Sequence, residues 1–501
     1  MNRRDGAQRL HDSTKHGTPP LDPDRLVVYR RLDPGNSPTP FKEYHDSPRI
    51  PLPRVLVDSS LPATRALSGE KGNTPRVDSS LLTTLLYSSA GVTRMVGPPG
   101  RRTFFRTAMS AGNLHPVEVY VVVGEVEGLQ PGVFHFSPLQ VALTPLRDGD
   151  HRTRLDTDAA LAVVLTGIPW RTAWKYGERG WRHLYWDAGT MLANMLAVAD
   201  AHGIANRTVL GFDDEVVMTL LGIDGVNEMP LAMVLLGSIE ASQPLPPPAL
   251  APMSPDVAPV APRPIRLPLL EEAQTGSSLS ADEVAKWRGR GSEVTRSAPA
   301  RVGPPEGGAD PIEKVILQRG STRRMHRRPV PRSHLEWPMA AATRSAGLDV
   351  GPDGTLLDHF VNVHAVEGMD PGAYRQTGDG LELIDRVSSL REKSAALCLG
   401  QPLGGDSAYT VFHCAHLDPI LDALGSRGYR VAQLEAGIAS GRLALCAFAL
   451  GLGATGLTFF DDAVSRFFGT VAQPMLVTSV GVPATSPAPA GSPGSPATLN
   501  R

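Results

Sequence analysis

The chain has 501 residues, of which 41% are hydrophobic and 20% charged, and a formal net charge of −2. That length accommodates about three domains, and that composition supports buried cores. The near-neutral balance, without a long basic run in either half, argues against nucleic acid and against a charged membrane surface as partners.

Residues 1–60 carry scattered charges and prolines, have no repeat partner further along, and lack the apolar core of a signal peptide. No stretch approaches the roughly 20 uninterrupted apolar residues of a spanning helix, so the expectation is no membrane contact and a soluble, cytoplasmic protein. A first domain is expected over 61–240. Within it Val117-Glu118-Val119-Tyr120-Val121-Val122-Val123 is rich in β-branched residues and bounded by Pro116 and Gly124, which predicts a strand. From Leu184 through Ala188, Met191, Met195 and Val198 apolar residues step by three and four, predicting a helix that Gly203 stops. Ten prolines among the 28 residues from Ala241 to Pro268, then Gly and Ser, mark a linker over 241–310, extended where proline is dense and flexible elsewhere. A second domain is expected over 311–484, with Leu434, Ile438, Leu445, Phe448 and Leu452 marking its long helix. The two long helices are the natural seam between the halves. The tail over 485–501, rich in Pro, Ala, Ser and Gly, is expected to be disordered.

The two domains repeat each other. Val126-Glu127-Gly128-Leu129-Gln130-Pro131-Gly132-Val133-Phe134 returns as Val366-Glu367-Gly368-Met369-Asp370-Pro371-Gly372-Ala373-Tyr374. Arg179-Gly180-Trp181-Arg182 with Asp187-Ala188-Gly189 returns as Arg427-Gly428-Tyr429-Arg430 with Glu435-Ala436-Gly437, and Phe212-Asp213-Asp214 as Phe460-Asp461-Asp462. Repeats of this length are whole domains, not solenoid units, so two similar α+β domains of three layers are expected to pair as an intramolecular pseudo-dimer. The three cysteines, Cys398, Cys414 and Cys446, lack paired spacing and read as core thiols, with no disulfide framework and no metal site.

Three segments carry chemistry. Met109-Ser110-Ala111-Gly112-Asn113-Leu114-His115-Pro116 lets a flat ligand approach the backbone closely and offers hydrogen bonds from Ser110 and Asn113; a plain turn before a strand reads the same way. Gln318-Arg319-Gly320-Ser321-Thr322-Arg323-Arg324 sets guanidiniums and hydroxyls close enough to clamp a monophosphate, or to form a solvated basic surface. Gly451-Leu452-Gly453-Ala454-Thr455-Gly456 is a glycine loop or a helix cap.

Together these segments resemble the nitroreductase superfamily of FMN-dependent oxidoreductases, and within it the azoline dehydrogenases, which oxidise thiazolines and oxazolines to thiazoles and oxazoles in ribosomally made peptide natural products. The resemblance covers both repeats and leaves out the N-terminal 60 residues, the linker and the tail. It implies a flavin at the seam of two nitroreductase-like units, with one unit supplying an Arg-x-Ser-x-Arg clamp and a late glycine loop and the other the Ser-Ala-Gly-x-Leu-His-Pro segment. The first copy has Leu61-Pro62-Ala63-Thr64-Arg65-Ala66-Leu67 in place of the clamp and His202-Gly203-Ile204-Ala205-Asn206 in place of the glycine loop. The second has Asp349-Val350-Gly351-Pro352-Asp353-Gly354 in place of the flavin-edge segment. One complete FMN site is therefore expected, from Ser110, Ala111, Gly112 and Asn113 with Arg319, Ser321, Arg323, Thr455 and Gly456, the other site being degenerate.

Lys175-Tyr176 is informative because the chain has seven lysines against 42 arginines, although a solvated loop lysine beside a packed tyrosine accounts for the residue types equally well. By resemblance, Lys175 and Tyr176 act in proton removal, and the second copy has no such pair. Aromatising an azoline removes a proton and a hydride from adjacent ring carbons; in this reading the flavin accepts the hydride at N5 and Lys175, assisted by Tyr176, the proton. The implied partners are an azoline-containing precursor peptide and a cyclodehydratase. Two rivals stay open: an NAD(P)H-dependent reductase of nitroaromatics or quinones, and a flavin-less scaffold for a precursor peptide.

Overall fold

Each half builds its own antiparallel sheet, and the central strand order is the same in both. The computed structural model describes residues 4–17, 32–45, 47–73, 76–237, 247–263, 265–298, 300–308, 310–351 and 353–499. The first half opens with α1 (Asp5–Ser13), β1 (Ile50–Pro51), α2 (Ala63–Leu67) and α3 (Ser79–Ala90). A hairpin of β2 (Val92–Val96) and β3 (Thr103–Arg106) leads into β4 (Val117–Val123), β5 (Gly132–Ser137), β6 (Ala142–Asp148) and β7 (Leu161–Gly167). Helices α4 (Pro169–Tyr176) and α5 (Gly180–Ala201) follow, then β8 (Asn206–Val209), α6 (Asp214–Leu221) and β9 (Met229–Leu236).

Helices α7 (Pro268–Gly276) and α8 (Ala281–Gly289) lie between the halves. The second half runs through α9 (Ile312–Gln318), β10 (Met325–His326), α10 (Ser333–Thr343), β11 (Leu357–Val363), β12 (Gly372–Thr377) and β13 (Gly380–Asp385). It continues with α11 (Leu390–Leu397), α12 (Leu403–Asp406), β14 (Tyr409–Ala415), α13 (Leu417–Ala449), β15 (Gly453–Leu457), α14 (Asp461–Phe468), β16 (Gln473–Pro483) and β17 (Ala497–Leu499). The order β6-β5-β4-β7-β9-β8 of the first sheet returns as β13-β12-β11-β14-β16-β15 in the second.

Every residue of β4 and β7 is buried. Their near-continuous apolar runs are what a strand covered on both faces requires. On one face Val121, Val163 and Leu165 join the large core around α5; on the other Val122, Val164 and Met233 pack under Val217, Leu220 and Leu221 of α6. Glu118 is the polar exception in β4, and Arg171 and His135 both bind its carboxylate.

The long helices α5 and α13 form the seam, as their apolar stripes predicted. They cross where Gly189 meets Gly437: a Cβ on Gly189 would lie 2.5 Å from the Leu434 carbonyl oxygen, and one on Gly437 2.5 Å from that of Trp186. Trp181 and Tyr429, which hold the same place in the repeated motif, stack across the seam with centroids 5.5 Å apart. A break at an equivalent glycine, with φ in the left-handed region, precedes α5 at Gly177 (φ 57) and interrupts α13 at Gly425 (φ 60).

Three expectations are corrected. Residues 1–60 do have a counterpart in part: α1 and α7 occupy equivalent places. Ala7 N–H donates to Ser426 Oγ (3.2 Å), while Leu270 N–H donates to Glu178 Oε2 (3.0 Å) at the matching position of the other half. The stretch 241–310 is accordingly more than a tether. Its first six residues lie outside the described ones, but Leu270, Ala273 and Gln274 of α7 are buried, and Gln274 Oε1 accepts from Trp181 and Tyr185. The tail is ordered through Leu499, because its backbone pairs in parallel with β2.

The third repeat match slips by one residue. The buried carboxylates are Asp214 and Asp461, each at the first position of a helix and each held by the two arginines of the opposite half's Arg-Gly-aromatic-Arg motif. Phe212 and Phe459 then serve as the matching faces under Arg427 and Arg179. Matching by residue type aligns the wrong aspartates, whereas helix start and charge pairing identify the right ones.

Candidate functional site

A cavity of about 470 Å³ opens between the halves. Ser110 and Asn113 of the first half line it together with Arg319, Ser321 and Arg323 of the second. Arg319 is buried, and its Nε and Nη2 donate to the Thr107 carbonyl of the first half at 3.1 and 2.6 Å. Its Nη1 has no partner, and no carboxylate pairs with it among the described ion pairs. Burial, and then the charge of Arg94, bring its pKa down to about 10, so it stays cationic at neutral pH. A buried cation with an unpaired donor in the wall of a cavity suits an anion.

The first-half wall is bent into place by backbone conformations that L-residues seldom adopt: Gly112 (φ 64), Asn113 (φ 60) and His115 (φ 46). Asp187 fastens it from behind. Its Oδ1 accepts Ala111 N–H (3.0 Å) and its Oδ2 the Ser110 hydroxyl, whose oxygen in turn accepts His115 N–H (2.8 Å). Ala111 and Gly112 do not line the cavity itself. Gly112 faces the predicted catalytic pair: a Cβ there would lie 2.7 Å from Tyr176 Oη and 3.3 Å from Lys175 Nζ.

Lys175 and Tyr176 end α4. Trp170 and Trp174 of that helix donate to the Asn36 and Asp33 carbonyls, and Arg171 to that of Thr39, so the N-terminal segment buttresses the helix. Tyr176 packs edge-on against His183, and its pKa rises to about 12 through burial and the nearby Asp187 charge, with Arg323 opposing. Lys175 is exposed. The dry surroundings that proton abstraction by a lysine needs are thus not built by the protein alone.

Thr455 and Gly456 lie on β15, away from the cavity lining. The glycine-rich stretch is a helix end and a strand: Gly451 and Leu452 reach the cavity. Gly453 lets the clamp approach, since a Cβ there would fall 2.2 Å from Thr322 Oγ1. Sequence reasoning missed Arg94, Asp187 and the tail residues Thr485 to Ala488. Asp187 was within reach, since it belongs to the repeated motif.

The matching carboxylate of the second half is paired with a cation. Glu435, the counterpart of Asp187, accepts the Thr355 hydroxyl (3.0 Å) and Leu356 N–H (2.7 Å) in the same way. Here Arg296 adds an ion pair at 2.8 Å and also binds the Val350 and Gly354 carbonyls. The segment equivalent to Ser110-Ala111 is thus Thr355-Leu356, just past the stretch read from the sequence.

Among the described ion pairs Asp187 has no such counter-cation, and burial raises its pKa to about 7 even though Ser110, Ala111 and Arg106 favour the charged form. Its folded value lies above its unfolded one, so its ionisation opposes folding, increasingly as pH rises from about 4 to about 7. Asp187→Asn is expected to raise the melting temperature relative to wild type at pH 8, with the gap closing toward pH 4; a gap independent of pH would contradict this.

Comparison with known proteins fits this architecture. Residues 73–238 match the Nitroreductase family. A crystal structure from Anabaena variabilis that carries the name nitroreductase superposes with a TM-score of 0.73 at 28% identity, covering 96% of this chain and 100% of that one. The fold is nitroreductase-like. Within this nitroreductase-like chain, 145 residues are 30% identical to the microcin B17-processing protein McbC of Escherichia coli, covering 26% of this chain and 53% of McbC. A further match, 26% identical over 196 residues, is to the trifolitoxin-processing protein TfxB of Rhizobium leguminosarum, covering 36% of this chain and 52% of TfxB. The chain thus aligns with about half the length of each of these relatives.

Proposed function

We propose that the protein is an FMN-dependent dehydrogenase that oxidises thiazolines or oxazolines in a ribosomally made peptide to thiazoles or oxazoles. In this reading it is a tandem pseudo-dimer of two nitroreductase-like domains, 61–240 and 311–484, with one active site per chain. The observation that carries it is the composite cavity, where the buried, unneutralised Arg319 of one half faces the Ser110 and Asn113 wall of the other. The names of McbC and TfxB, both peptide-processing proteins, favour a peptide substrate.

The residues present fit FMN. Arg319, with its unpaired Nη1, Ser321 and Arg323 would hold the phosphate, and Ser110 and Asn113 the edge of the ring system. When bound, FMN supplies the two-electron acceptor. Lys175 would take the proton from the azoline ring carbon, and Tyr176 would fix the lysine's position from beside it. Because Lys175 is exposed, closing water out of the site falls to the bound peptide. The peptide would arrive from a cyclodehydratase, since an azoline is the product of such a ring closure.

The test is direct. Chain equilibrated with FMN and desalted should release about one FMN per chain on denaturation, a reading supported by the Arg296–Glu435 ion pair at the matching place of the second half. It should also convert a synthetic thiazoline peptide to the thiazole with loss of H2 by mass. Arg319→Ala should abolish FMN retention, since it removes a forked, buried phosphate donor. Rapid bleaching of the flavin by NADPH without azoline turnover would instead favour a nitro or quinone reductase, and failure to take up FMN a peptide-binding scaffold.

A further inference from the structure

The C-terminal tail forms part of the cavity wall. Thr485, Ser486, Pro487, Ala488 and Leu499 all contribute to its lining. The hold on this segment is through backbone. Arg94 Nε donates to the carbonyls of Ala488 and Pro489, each at 3.0 Å. Gly491 N–H donates to the Thr93 carbonyl (2.9 Å), and Ala497, Thr498 and Leu499 pair with Arg94, Met95 and Val96. Thr485 to Pro489 are otherwise exposed, so few side-chain contacts would have to break for the segment to lift.

Arg94 ties three separate parts of the chain together. While Nε holds the tail, Nη2 donates to the Leu317 carbonyl (2.8 Å) and Nη1 to that of Arg319 (3.4 Å), at the start of the clamp. It comes from the first half, the clamp from the second, and the tail from the chain's end. Its side chain is buried, and carbonyls and one hydroxyl accept from each of its three nitrogens. It is therefore placed to organise the anion end of the cavity, whose wall it also joins.

We propose that the tail is a strap that closes over the cofactor and that Arg94 is the positioning residue that latches it to the clamp. This rests on the reading that the cavity takes FMN. A ligand seated beneath Thr485 to Ala488 leaves only when the strap opens, so the strap governs the rate of release more than the rate of entry. Because the latch acts on main-chain carbonyls, its strength depends on the forked guanidinium and little on the tail's sequence.

The experiment measures FMN dissociation and association by flavin fluorescence in wild type, in a chain ending at Ala484, and in full-length Arg94→Lys and Arg94→Ala. Removing the strap should speed dissociation about tenfold or more, the scale of one lost charge-assisted hydrogen bond, with association unchanged or faster. Arg94→Ala should do the same, Arg94→Lys should fall between, and Arg94→Ala in the shortened chain should add little beyond truncation. Melting temperatures of the apo forms report folding separately, and the Arg94→Lys chain serves if the truncated one does not fold. Equal dissociation rates in all four chains, or losses confined to the association rate, would overturn the strap. A wild type that takes up no FMN would instead overturn the cofactor reading.

Discussion

Asp461→Ala is expected to destabilise the protein by about 3–5 kcal/mol, the scale for removing one partner of a buried ion pair. The carboxylate is fully buried and accepts from Arg179 at 3.0 Å and from Arg182 at 2.6 Å, so its loss strands two guanidiniums inside the seam. Burial alone would raise its pKa, but the charges of Arg179 and Arg182 outweigh it and hold the carboxyl well below the usual range. A depressed folded value means that the stabilisation is complete above the unfolded pKa, near 4, and is lost as pH falls below it. Urea unfolding at pH 7 should therefore show the full difference between wild type and variant, and at pH 3 a smaller one. Asp214→Ala, which strands Arg427 and Arg430, should cost a similar amount at pH 7. A difference below about 1 kcal/mol at neutral pH would mean that the seam relaxes around the stranded arginines.

The second large effect is catalytic. Lys175→Ala should lower azoline turnover by about 10²–10⁴-fold, the range for loss of a positioned general base, while leaving FMN content unchanged. The side chain is exposed and no ion pair holds it among those described, so stability should change little. The split is informative because Arg319 should behave in the opposite way: its alanine variant loses the cofactor first. Retained turnover in Lys175→Ala would end its assignment as the base. Gly112→Ala bears on the same corner, since a Cβ there would displace Tyr176 and Lys175.

Much of the cavity was readable before folding because its parts are short, local strings. Ser110 to Asn113 are consecutive residues at the entrance to a strand, and Arg319, Ser321 and Arg323 are alternate residues on one extended segment. The complementary gaps in the two copies even indicated that one cavity would draw on both. The glycine-rich stretch was harder. Glycine marks a place where something comes close, but composition does not say whether that is a ligand or a neighbouring side chain, and at Gly453 it is Thr322.

The sequence by itself determined that the protein is a repeated α+β architecture with its seam on two long helices, because core periodicity and motif spacing survive divergence. It also determined part of the cavity wall, Ser110 and Asn113 with Arg319, Ser321 and Arg323. The tertiary structure alone decided that α1 and α7 are equivalent, since these two short helices share their backbone bonds and not their residues. It decided that Asp214 and Asp461 are the paired carboxylates, because charge pairing across the seam is invisible in a string of neighbouring aspartates. And it decided that the tail is part of the cavity: a chain of Pro, Ser and Ala has no core to bury, yet its backbone can still complete a sheet edge and accept from the Nε of one buried arginine.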